Sequence, residues 1–148
     1  MADIRHRVGI KAPLDEVFGQ IATLEGLRRW WTTTVEGEAG AGGELRFFFG
    51  GEEPAASMEV SAFEEGALVE WRCVQGPDDW VGSTQRFELS EQDGQIVVLF
   101  SHAGWPEANE FFAHCSMRWA SFLLSMKSGC EGWGFKPWPY DLKTDNWG

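Results

Sequence analysis

The residues able to do chemistry are few: three histidines (His6, His102, His114) and three cysteines (Cys73, Cys115, Cys130). His102 ends an alternating apolar run, in phase with Phe100 and just before a bend. A neutral imidazole there can orient a ligand carbonyl or act as a general base. No acidic residue is placed to orient it, so the preferred reading is structural, a ring hydrogen-bonded to loop backbone at a strand-to-helix corner. His6 falls on the apolar face of the first strand and reads as a satisfied core residue. His114, four residues before Arg118 on the polar side of a helix, reads as solvated. Histidines scattered in this way, with no Cys or Glu at ligand spacing, make no metal site. A nucleophilic thiol needs a base or a positive neighbour, and Cys73 has neither in the sequence. The cysteines read as reduced and buried. The glycines at 37–43 precede a strand rather than a helix, so they cradle no phosphate, and no nucleophile elbow is present. No catalytic residue, metal or cofactor is therefore assigned.

The unusual chemistry is aromatic. Nine Trp and eleven Phe stand against a single Tyr. Trp71, Trp105 and Trp119 can stack on a flat apolar ligand, with plain core packing as the competing reading. Their convergence on one wedge favours a pocket.

The elements that must position these residues follow from periodicity. Residues 4–11 alternate, with Ile4, His6, Val8 and Ile10 on one face, which is a half-buried strand. Pro13, Asp15 and Glu16 open an amphipathic helix carrying Leu14, Val17, Phe18, Ile21 and Leu24. Gly26 interrupts it, and Leu27, Trp30 and Trp31 predict a second short helix. From 33 to 102, turn signals separate short apolar runs. These are 45–49, 57–63, 67–74, 82–89 and 95–102, with a weak strand at 34–36. Asp93-Gly94 is the sharpest hairpin signal. A helix from about Glu107 to about Gly129 follows, its stripe formed by Phe112, Cys115, Trp119, Phe122, Leu123 and Met126. Glu110, His114, Arg118, Ser121 and Ser125 line its polar side. The tail, 133–140, is aromatic and Pro-rich and is expected to pack on the cavity mouth, the sheet or a second subunit.

One strand, two short helices, six strands and one long helix predict an α+β chain, residues 1–148 forming a single domain. The sheet is antiparallel, curved and about seven-stranded. A long helix laid across such a sheet leaves a wedge-shaped cavity. Strand parity aims Trp71 and Cys73 into it, with Phe87, Phe100 and His102 from the later strands and Phe47 and Phe49 from an earlier one. Trp105, Cys115 and Trp119 complete the expected ligand site.

Composition bounds the partners. Hydrophobic residues make up 43% of the chain and charged residues 24%, a globular balance. A net charge of −11 repels phosphate backbones and anionic headgroups, so neither nucleic acid nor membrane is an expected partner. No apolar run reaches the roughly 18 residues of a membrane span, and the first residues carry no signal-peptide core. A cytoplasmic location is the expectation.

Several segments together resemble one family. They are Ala12-Pro13, Glu16-Val17-Phe18, Gly26-Leu27-Arg28-Arg29-Trp30-Trp31, Glu70-Trp71 and Trp80-Val81-Gly82-Ser83-Thr84. They continue with Phe100-Ser101-His102-Ala103-Gly104-Trp105, Trp119, Leu123-Leu124-Ser125-Met126-Lys127, and Gly134 before Pro137. In this order they are similar to the START-like (SRPBCC) superfamily with the helix-grip fold, in the branch related to the carboxy-terminal domain of the Hsp90 ATPase activator. The resemblance implies a hydrophobic cavity under the long helix. The first functional expectation is a carrier or sensor of a small hydrophobic, aromatic-type ligand, not an enzyme. The alternatives are a cyclase or dehydratase using His102, as in relatives of this fold, and a module acting on a chaperone. A homodimer is the further expected assembly. The chaperone is the weaker partner, because the amino-terminal domain of the eukaryotic co-chaperone is not among these residues.

Overall fold

The computed structural model describes residues 1–147. Strand β1 (Ala2–Ile10) is followed by helices α1 (Leu14–Ala22) and α2 (Leu24–Trp30), then by strands β2 (Thr34–Gly37) and β3 (Glu44–Phe48). Strands β4 (Ala56–Glu64), β5 (Leu68–Gln75), β6 (Thr84–Gln92) and β7 (Gln95–Trp105) lead to helix α3 (Glu110–Cys130). Strands β2 to β7 form an antiparallel meander, and β1 returns to pair with β7, giving the order β1-β7-β6-β5-β4-β3-β2 in one seven-stranded sheet. This is the α+β helix-grip arrangement expected from the sequence.

Local signals act through identifiable contacts. The β6–β7 hairpin turns on Asp93 (φ 52°) and Gly94 (φ 75°), the paired left-handed residues that a two-residue turn between twisted strands requires. β7 runs on to Trp105, three residues past the expected end, because Ala2 of β1 pairs with Trp105 across a bulge. α3 starts at Glu110 rather than 107, where the Asn109 side chain caps it by accepting from Phe112 N at 2.9 Å. The break between α1 and α2 falls at Thr23, not at Gly26. Thr23 is extended (φ −134°), and its hydroxyl accepts from Gly26 N at 2.9 Å. Gly26 lies inside α2 because a Cβ there would overlap the carbonyl oxygen of Gly19.

Parity along the strands decides what faces α3. Val69, Trp71 and Cys73 are fully buried, while Arg72 is exposed. Gln85, Phe87 and Leu89 of β6 and Val98, Phe100 and His102 of β7 are buried on the same side. Of the other β7 face, Val97 is buried and Leu99 exposed. His6 ties β1 to α3, its Nε2 lying 3.1 Å from Ser116 O and 3.2 Å from Ser116 Oγ.

The tail packs against its own chain. Trp138 N donates to Trp31 O at 2.8 Å, and the Trp138 ring lies 5.7 Å from that of Phe49. Lys136 N donates to Ser125 Oγ at 2.8 Å. The expected polar side of α3 is thus partly a docking face, and Ser125 is buried on it.

Candidate functional site

Most of the wedge between sheet and helix is filled by rings. Trp31, at the end of α2, inserts into it. Its ring lies 4.3 Å from Phe47, 4.7 Å from Trp119 and 5.9 Å from Trp71, stacked on the last at 5°. The cluster continues from Trp71 to Phe87 at 5.0 Å, from Phe87 to Phe100 at 5.0 Å, and from Phe100 to Trp119 at 4.6 Å. Edge-on and tilted contacts at these spacings are favourable. Phe47, Trp71, Cys73, Phe87 and Trp105 are 0% exposed, so these residues of the expected site are part of the packed core.

His102 is locked into this core. Trp119 Nε1 donates to its Nδ1 at 3.1 Å, so the ring proton sits on Nε2. Nε2 lies 2.7 Å from Ser83 Oγ, whose own hydrogen goes to Trp80 O, and 2.8 Å from the Gln85 side-chain amide. The Gln85 oxygen is otherwise unpaired. An amide turned to present that oxygen accepts from the ring as well, and the orientation of an amide is assigned from such networks. Burial pushes the His102 pKa down to about 3, which keeps the ring neutral. The ring therefore holds β6, β7, the Trp80 turn and α3 together, and it has no acidic partner.

The thiols are equally quiet. Burial raises Cys73 and Cys130 to about 11 and Cys115 to about 12. The indole N–H of Trp80 acts in the opposite direction on Cys115. Among the described residues, no three His, Cys, Asp or Glu side chains converge as metal ligands, and no helix is long and apolar enough to cross a membrane.

Open space remains at one end of the wedge. A cavity of about 180 Å³ has walls of Trp31, Phe49, Trp80, Trp119 and Phe122. Cys115 borders it, and Phe111, His114 and Arg118 line it from the first half of α3. Of the expected ligand site, Phe49, Cys115 and Trp119 meet here; Phe47, Trp71, Cys73, Phe87, Phe100, His102 and Trp105 do not line it. Trp31, Trp80, Phe111, His114, Arg118 and Phe122 were missed as lining residues. The available signals were the adjacent Trp30-Trp31 pair and a Trp set in the acidic turn after Asp78-Asp79. The Trp80 indole N–H is buried without a conventional acceptor, since a thiol accepts only weakly.

The comparisons agree with this architecture. The family model described as activator of Hsp90 ATPase homolog 1-like protein matches residues 11–130. The solution structure of the Aha1 dimer from Colwellia psychrerythraea is 35% identical, covers 90% of this chain and 98% of its own, and superposes with a TM-score of 0.81. CalU16 from Micromonospora echinospora is 21% identical over 88% of this chain and 73% of its own, with a TM-score of 0.69. SSP2350 from Staphylococcus saprophyticus is 14% identical over 88% and 93%, with a TM-score of 0.74. The last two show the fold alone. No curated protein gives a significant match to the chain. A family model spanning most of the chain, a relative at 35% identity and a seven-stranded sheet gripping a long helix lead to one assignment. The chain belongs to the activator of Hsp90 ATPase homolog 1-like family, with the START-like helix-grip fold.

Proposed function

We propose that the protein binds a small, flat, apolar ligand, as a carrier or sensor, in the cavity beside Trp31, Trp80 and Trp119. The carrying observation is an aromatic-walled space of about 180 Å³ at one end of the ring-lined wedge. An apolar cavity of about 150 Å³ accommodates a benzene ring, so one ring or two fused rings is the fitting size. The Trp80 N–H, which faces only the weakly accepting Cys115 thiol, offers a donor to a ligand oxygen. An acid/base role for His102 is disfavoured by its neutral, fully hydrogen-bonded and inaccessible ring.

Native mass spectra beside denatured spectra of the protein purified without additives test the reading. A mass excess lost on denaturation is expected. If none appears, and single- and fused-ring compounds produce no calorimetric heat of binding, the ligand reading fails.

A second reading concerns assembly. The Colwellia relative is described as a dimer, and α3 exposes Met117 (62%) and Leu124 (58%) two turns apart on its outer side. Self-association through that stripe is the proposed assembly. Sedimentation velocity should show a dimer that Leu124→Glu converts to a monomer of unchanged circular dichroism. A wild-type monomer at 100 µM (about the upper range of such runs) would remove the reading.

A further inference from the structure

Arg118 is the permanently charged side chain on the cavity wall, set among aromatic rings and 4.9 Å from the Phe122 ring centroid. Its Nη1 donates to Asp141 Oδ2 at 2.6 Å, and Lys143 Nζ donates to Asp141 Oδ1 at 2.9 Å. The Asp141 side chain is 1% exposed and that of Arg118 18%. A desolvated ion pair of this kind adds little net stability, because the cost of drying both charges offsets their attraction. It does, however, place a carboxylate from the tail on the one cation that a ligand in the cavity would meet.

The side chains around Asp141 are mostly exposed. Tyr140 (74%), Leu142 (70%) and Trp147 (91%) are exposed, whereas the preceding Trp138 is anchored on both sides of its peptide by Trp31 O and Thr33 N. A second, more open cavity lies under Thr144, Asp145 and Trp147 and shares Phe111, His114 and Arg118 with the first. The segment after Pro139 therefore lies over the route to the aromatic cavity, held inward by Asp141 on Arg118, with longer contacts from Asp145 to His114 at 3.7 Å and from Lys143 to the Trp138 ring at 5.8 Å.

We propose that Arg118 is the anion subsite of this cavity, that Asp141 is its built-in competitor, and that the ligand is a small aromatic carboxylate taken up in exchange for the Asp141 carboxylate. The proposal rests on the ligand reading above and adds the ligand's charge and the gate. Exchange replaces one ion pair by another, so the electrostatic change is small, and burial of the ligand ring supplies the drive. A neutral ring gains the same burial but does not release the tail.

Calorimetric titration with 1-naphthoate and with the neutral 1-naphthalenemethanol tests this. Arg118→Gln should weaken naphthoate by about tenfold and leave the alcohol nearly unchanged, while Asp141→Asn should tighten naphthoate by about tenfold. Equal effects on the two compounds, or weaker naphthoate binding to Asp141→Asn, would overturn the proposal and leave the ligand reading standing. Binding of neither compound to the wild type sinks both. If either variant fails to fold, the wild-type chain still decides. Naphthoate, and not the alcohol, should speed tryptic cleavage after Lys143 by several-fold, and an unchanged rate overturns the exchange.

Discussion

His102 shows how one residue can look catalytic in a sequence and be structural in the fold. Its place at the end of an alternating run suggests a general base, but in the fold its lone pair is spent on Trp119 and its proton on Ser83. That arrangement carries a pH signature. The unfolded His binds a proton below its ordinary value of about 6.5, whereas the folded ring resists protonation down to about 3. Across that window the unfolded state holds more protons, so stability falls as the pH is lowered, by up to about 1.4 kcal/mol per pH unit. Above the ordinary value the contribution is fully present. His102→Gln keeps an acceptor and a donor but cannot titrate. Urea unfolding at pH 7 should find it destabilised by about 1–3 kcal/mol, with the gap to wild type narrowing by pH 5. A constant gap would mean that the buried ring is not what titrates. Trp71 is the opposite case. Expected at the ligand site, it lies 0% exposed in the ring cluster, so Trp71→Ala should cost about 3–5 kcal/mol. Trp119→Ala removes both a cavity wall and the donor to His102.

At the scale of elements, glycines mark the close approaches. Gly→Ala inside a helix ordinarily gains about 1 kcal/mol, so a loss identifies a packing constraint. Gly26→Ala should lose stability, because its Cβ meets the rigid backbone of α1 at Gly19. Gly129→Ala should act differently, because the nearest atoms its Cβ meets belong to the Phe135 side chain rather than to backbone. It should loosen the tail, read as faster hydrogen exchange over 135–141, with a smaller change in Tm than Gly26→Ala. Equal Tm losses would show the tail to be integral to the core. The sheet and α3 were legible because their signals are local: alternation, spacing of three and four, and an Asp-Gly turn. The α1–α2 break was misplaced because Gly26 looked like a helix breaker, whereas it is the small residue a helix crossing needs. The cavity was half legible for a related reason. Parity aims Trp71 and Phe87 into the wedge, but only packing reveals that the Trp30-Trp31 pair arrives from α2, Trp31 stacking on Trp71 and Trp30 meeting the Phe87 ring edge-on.

For the whole molecule, the accessible surface of 7666 Å² is close to the roughly 7,600 Å² expected of a folded monomer of this mass. The described chain therefore buries as much surface as a monomer of its size, and a second copy would add through a surface patch such as the Met117–Leu124 stripe. Each copy brings a net charge of −11, so two copies repel. The attraction offered by the stripe is apolar and barely screened, whereas the repulsion is long-ranged and fades as the Debye length falls from about 30 Å at 0.01 M salt to about 10 Å at 0.1 M. Salt should therefore tighten the dimer, the reverse of an interface built on ion pairs. Sedimentation equilibrium at 0.01 M and 0.3 M NaCl should give a dimer Kd several-fold lower at the higher salt, and Leu124→Glu should abolish association at both. A Kd that rises with salt would move the contact away from the apolar stripe and onto charged groups.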